Sequence, residues 1–177
     1  MHDHESDLMR MRVLKLLVNQ ESRAIARYVA RKYKSSGPDL LREGDLQESA
    51  VVDQWMEVEA HQYNPAMSPI VFQLFVIPMR GGVPDQQVID NSLVELEKVL
   101  DIYEDRLSKS KYLAGDFFSP ADLNHLPLTH YFMTTPYKSL FKSCPHLNGW
   151  WEDWSSRPAV KKVTDAMDYA VIPGCKS

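Results

Sequence analysis

Several groups of residues in this 177-residue chain have types and spacings that could do chemistry. Ser119 and Asp122 lie in the stretch Gly115-Asp116-Phe117-Phe118-Ser119-Pro120-Ala121-Asp122-Leu123. A hydroxyl beside a carboxylate suggests a nucleophile, but activating a serine takes a general base within reach. No base accompanies this pair. The same spacing makes a capping box: Ser119 caps the first turn, and the Asp122 carboxylate reaches back to the Ser119 N–H. Pro120 falls on the first helical position, where its missing N–H costs nothing. We read the pair as a helix start, with no catalytic role.

His2, Asp3, His4 and Glu5 offer metal-binding side chains. Nothing nearby would hold them in one geometry, so a polar tail without metal is expected. Trp150, Trp151 and Trp154 could stack on bases, but aromatic residues at helical spacing belong to a core. The net charge of −4 also argues against nucleic acid as a partner. Arg23, Arg27 and Arg31 recur at every fourth residue, a basic helix face that we expect to be solvated. Cys144 and Cys175, the two cysteines, lie far apart and have neither a disulfide framework nor zinc spacing. Reduced thiols in the cytoplasm are expected.

The elements that would carry these residues are helical almost throughout. Composition is that of a soluble globular protein, with 44% hydrophobic and 25% charged residues. The longest apolar run, Ile70 to Met79, contains Gln73 and Pro78 and is too short to span a bilayer. Acidic residues at Asp3, Glu5 and Asp7 disfavour a transit peptide.

A first helix is expected from Ser22 as N-cap to Tyr33, with Ile25, Tyr28 and Val29 as its apolar stripe. A second begins at Asp45, with Glu48 completing an acidic capping box and Val51, Val52, Trp55 and Met56 turned inward. Pro65 and Pro69 should bend or divide it before it ends at Gly81-Gly82. The third pattern is the clearest. Ile89, Leu93, Leu96, Leu100, Tyr103 and Leu107 share one face of a helix starting at Asp85. The short turn between these two long helices predicts antiparallel packing. Pro145 opens a further helix, and Arg157-Pro158 separates it from the last one.

Six stretches of the chain, in order, resemble phi-class glutathione S-transferases, a plant-enriched class. They are Glu21 to Tyr33, Leu40-Leu41-Arg42-Glu43-Gly44, Glu57-Val58-Glu59-Ala60, Lys111 to Phe117, Ser119 to Leu126, and Trp150 to Val163. The resemblance implies an all-α fold, the helical bundle of the glutathione S-transferase C-terminal domain, with a remnant of a thioredoxin-like domain before it. That remnant would be residues 1–34, of which 1–20 are unmatched and 21–34 are its last helix. Residues 35–177 would be the helical domain.

The resemblance further implies conjugation of glutathione to electrophilic xenobiotics, in the cytoplasm. Glutathione is then the co-substrate, and no other cofactor is implied. Partners would be hydrophobic electrophiles and a second subunit, in a homodimer or a heterodimer with an intact chain. Glu21 and Ser22 match the pair that holds the γ-glutamyl end of glutathione, and Phe72 and Val76 match positions lining the electrophile pocket. The serine that stabilises the glutathione thiolate in this class has no counterpart in the sequence, because Ser6 stands too close to Glu21. The expectation is therefore a chain that is inactive or weak alone. The alternatives are a non-catalytic module for hydrophobic ligands or dimerisation, and an incomplete gene product.

Overall fold

The structure is a computed structural model, and it describes residues 21–168. The N-terminal tail with its histidines, Ser6 and Cys175 lie outside the described residues. Helices make up the fold, and no strand occurs among the described residues. The closest approach to sheet is an isolated antiparallel bridge between Tyr112 and Gly115.

Helix α1 is Ser22–Lys32. A long helical run follows, made of α2 (Leu46–Val58), a π turn (Glu59–Tyr63), α3 (Asn64–Val71), a second π turn (Phe72–Val76) and α4 (Ile77–Met79). Asp45 starts α2 by accepting from the N–H groups of Gln47 (2.9 Å) and Glu48 (3.0 Å). Glu48 does not complete the expected box. Its carboxylate pairs instead with Arg42, at 3.2 Å.

The prolines act in an unexpected way. Pro69 lies inside α3 without dividing it, and Pro65 and Pro78 each follow a π turn that leaves the helical run unbroken. Each π turn is followed by a residue and then a proline, Asn64-Pro65 in one case and Ile77-Pro78 in the other. A proline has no N–H to donate and crowds the carbonyl four residues back. A single i→i+5 turn just before it widens the ladder at that point. The N–H groups of Asn64 and Ile77 accordingly donate to the carbonyls of Glu59 and Phe72. Gly81, at φ +78°, then ends the run in a conformation that other residues adopt only under strain.

Helix α5 is Gln86–Leu107, capped by Asp85, and it packs most extensively on α3. Ile89, Leu96, Leu100, Tyr103 and Leu107 of its predicted stripe are buried, and Leu93 is half-buried. Short helices α6 (Pro120–Leu123), α7 (Leu126–Phe132) and α8 (Ser139–Lys142) lead to α9 (Pro145–Ser155) and α10 (Pro158–Asp168). The tryptophans of α9 are core, as expected: Trp150 and Trp154 are buried and Trp151 is half-buried against them. No helix of the described residues is long and apolar enough to cross a membrane.

Candidate functional site

Helix α1 carries the first pair of sequence-predicted site residues, and it differs from expectation in three ways. Ser22 is its first helical residue and not its cap, because the Glu21 carbonyl already accepts the first helical bond, from the Ile25 N–H at 3.1 Å. The Glu21 side chain makes no capping bond. Both side chains are exposed. The expected apolar stripe is largely uncovered, with Tyr28 44% and Val29 43% exposed and Ile25 half-buried.

The arginine face is the third difference, since it is a ladder of ion pairs and not a solvated face. Arg23 grips Glu59 through both Nε and Nη2, the second contact being 2.9 Å. Arg27 reaches Asp53 (3.1 Å) and Glu57 (3.4 Å), and Arg31 reaches Glu43 (2.7 Å). The partners run backwards along the chain as the arginines run forwards, so α1 lies antiparallel to α2. No residue of α1 is fully buried; Ala30 packs against the core, and the ion pairs add charge contacts that hold the helix in place.

The rungs of the ladder differ in strength. Asp53 and Glu57 are more than half exposed, where pairs contribute little. Glu59 is 1% exposed, and Arg23 supplies two charge-assisted hydrogen bonds to it. Those bonds raise the Arg23 pKa above its already high ordinary value. Sequence reasoning missed Glu59 as a functional position, although a signal was present. Val52, Trp55, Met56, Glu59 and Tyr63 follow helical spacing, which places a carboxylate within an apolar stripe. Such a group calls for a buried cation.

Beyond Glu59 lies a buried polar group drawn from three helical segments. The Tyr63 hydroxyl and Thr129 Oγ1 are 2.7 Å apart, and the Tyr103 hydroxyl and His125 Nε2 are 3.0 Å apart. Burial raises both tyrosines well above the ordinary phenol range, and the nearby Glu59 charge adds to this. Burial also lowers the His125 imidazole to about 3, against the pull of the Asp122 and Ala121 carbonyls. The imidazole is therefore neutral at physiological pH.

Phe72 and Val76 both fall in the second π turn. Phe72 is 42% exposed and Val76 is half-buried. A groove of about 220 Å³ lies elsewhere, between α5 and the segment running into α8, lined by Leu93, Val94, Glu97, Tyr137, Ser139 and Leu140.

The Ser119 and Asp122 capping box forms as expected. Asp122 Oδ2 accepts from the Ser119 N–H (2.9 Å) and from its hydroxyl (3.1 Å), and Ser119 Oγ accepts from the Ala121 N–H (3.2 Å). Asp122 Oδ1 accepts from the Leu113 N–H (3.0 Å) and the Trp150 indole (2.8 Å). Burial pushes the Asp122 carboxyl up, and these donors offset only part of the rise. With both oxygens committed, the carboxylate ties α6, α9 and the 111–115 turn together.

Comparison with known proteins bears on the whole arrangement. The family profile "Glutathione S-transferase, C-terminal domain" matches residues 63–158. The chain is 58% identical over 148 residues to "Probable glutathione S-transferase GSTF1" of Oryza sativa subsp. japonica, covering 83% of this chain and 68% of that protein. Among solved structures it resembles glutathione transferase F7 from Populus trichocarpa, with 58% identity and a TM-score of 0.81, over 83% of this chain and 69% of that one. It also resembles maize glutathione S-transferase I in complex with an atrazine glutathione conjugate, with 52% identity and a TM-score of 0.79, over 84% of this chain and 68% of that one.

Proposed function

Because this chain belongs to the glutathione S-transferase family, with phi-class plant enzymes among its relatives, we propose that it forms the helical wall of a glutathione-conjugating site. Glu21 and Ser22 hold the γ-glutamyl end of glutathione, and Phe72 and Val76 face the electrophile. A carboxylate suits the ammonium of glutathione, while the exposed hydroxyl and unpartnered N–H groups at a helix start suit its carboxylate. Glutathione is the co-substrate, no other cofactor is needed, and the setting is cytoplasmic.

The observation that carries this reading is the antiparallel ion-pair ladder. Arg23 anchors the start of α1 at Glu59, and the N-terminus of α1 points along the long run towards Phe72. From Glu59 to Phe72 the run rises roughly 20 Å at 1.5 Å per residue. An extended tripeptide covers about 10 Å.

Neither Glu21 nor Ser22 favours the thiolate that must attack. The Glu21 carboxylate offers a thiolate no hydrogen-bond donor, and both residues serve the opposite end of the ligand. With no donor assigned to the sulfur among the described residues, little rate acceleration is expected. This chain alone thus binds glutathione and conjugates it weakly. The test is retention on immobilised glutathione, paired with a 1-chloro-2,4-dinitrobenzene assay. Retention that Glu21→Ala and Ser22→Ala both weaken, with turnover near the uncatalysed rate, is expected. Equal retention of Glu21→Ala and the parent chain would overturn the site assignment. Fast turnover abolished by Glu21→Ala would overturn the assignment of weak activity.

A second reading, a binding or dimerisation module, is favoured by the uncovered side of α1, where Tyr28, Val29 and Tyr33 are exposed. Sedimentation of the chain alone and mixed with an intact phi-class subunit distinguishes it. Monomers in both samples would count heavily against it.

A further inference from the structure

We propose that the groove between α5 and the segment leading into α8 binds a small organic cation, a protonated amine carried on an aromatic body. The lining of this groove includes neither α1 nor the second π turn. The inference is therefore independent of the glutathione reading.

Leu93, Val94 and Leu140 make the lining apolar, and Tyr137 adds an aromatic ring. Val94 is 54% exposed, so a large apolar side chain stands in water at the groove. The volume of about 220 Å³ lies below the roughly 300–1,000 Å³ that holds a drug-sized ligand, and it suits one or two fused rings.

Electrostatics select the sign of the ligand. Among the lining residues Glu97 alone carries a charge, and it makes no ion pair or hydrogen bond among the described residues. The adjacent cation on the helix, Lys98, is held by Glu95 at 2.7 Å. Asp101 and Glu104 follow Glu97 at helical spacing, so the three acids share one side of α5. Their field reaches the opposite wall. Cys144 Sγ lies 3.8 Å from the Leu140 carbonyl; burial pushes this thiol up, and the charges of Glu104, Asp101 and Glu97 add to the rise. An anion entering the groove would meet the same repulsion.

The Tyr137 ring is held in advance. Its hydroxyl accepts from Gln86 Nε2 at 3.1 Å, and the same amide donates to Asp90 at 2.7 Å. A fixed aromatic ring and a free carboxylate are the two groups that recognise an ammonium ion, one through its π face and the other through its charge.

Two probes with the same rings isolate the charge: 1-naphthylmethylamine, protonated at neutral pH, and the uncharged 1-naphthalenemethanol. In calorimetric titrations of the full chain at low salt we expect the ammonium to bind about threefold to fivefold tighter, the effect of one exposed charge pair. Glu97→Gln should remove that preference and leave the alcohol within about twofold. Glu48→Gln at the start of α2 changes the net charge equally and should keep the preference. Val94→Ser should weaken both probes. Equal affinity of the parent chain for the two probes, a preference that survives Glu97→Gln, or one that Glu48→Gln also abolishes would overturn the role of Glu97 and the proposal with it. Binding of neither probe, or binding that Val94→Ser leaves unchanged and Phe72→Ala removes, would overturn the groove as the site. None of these outcomes bears on retention by immobilised glutathione, so the two readings fail separately.

Discussion

Replacing Arg23 with alanine should release the first helix from the body of the protein. Glu59 is 1% exposed, and its carboxylate loses two hydrogen bonds and its counter-charge in this variant. Removing one partner of a fully buried pair costs about 3–5 kcal/mol. The Arg23 side chain is 26% exposed, so water enters the vacated space and the cost is set lower, at about 2–3 kcal/mol. With a urea m-value of about 2 kcal/mol/M, the midpoint falls by about 1–1.5 M.

Glu59→Gln in the Arg23→Ala background should recover much of this loss, because no charge then remains buried. Arg27→Ala, whose partners are more than half exposed, should cost less than about 1 kcal/mol. Amide exchange locates the effect: α1 should lose more protection than α5, since no residue of α1 is fully buried. An Arg23→Ala variant with an unchanged midpoint and unchanged α1 exchange would refute the view that charge pairing holds α1.

Two other predictions concern the buried polar groups. His125 drops from 6.5 to about 3 on folding, so the unfolded chain binds the extra proton. Its stabilisation is complete above pH 6.5 and is lost progressively as pH falls towards 3. The full loss is about 5 kcal/mol at 1.36 kcal/mol per pH unit, and Asp122 offsets part of it because its raised carboxyl favours the folded state as pH falls. Urea midpoints of the parent chain and His125→Gln between pH 7 and 4 measure this, and parallel pH curves would count against it. Asp122→Ala strands the Trp150 indole, the Leu113 N–H and the Ser119 donors, at a cost of about 3–5 kcal/mol. Asp122→Asn should cost clearly less, because its amide oxygen still accepts. Thermal melts of the two variants rank them.

Much of the fold was legible because its rules are local. The α5 stripe follows the helical period, and five of its six residues are buried. The Asp45, Asp85 and Ser119 caps follow from side chains that reach backbone groups two or three residues away. The site was harder to read. Glu21 and Ser22 came from resemblance, and Ser22 moved from cap to first turn because the helix accepts its first bond one residue earlier. Phe72 and Val76 also came from resemblance, and the π turn that carries them was not foreseen. Its signal, a proline that must have room made for it, fits a bend equally well.

The sequence by itself determined which segments are helices, where they start, which faces are apolar and which family they resemble. Each of those depends on residues three or four apart. Tertiary structure alone decided that the arginine stripe is an anchor. Arg23 and Glu59 are 36 positions apart in the chain, and the three arginines read identically in sequence. They separate into one buried pair and three exposed ones because packing removes water from Glu59 and leaves it around Asp53, Glu57 and Glu43. The strength of a charge pair is set by that local dielectric, and the dielectric exists only once the chain has folded.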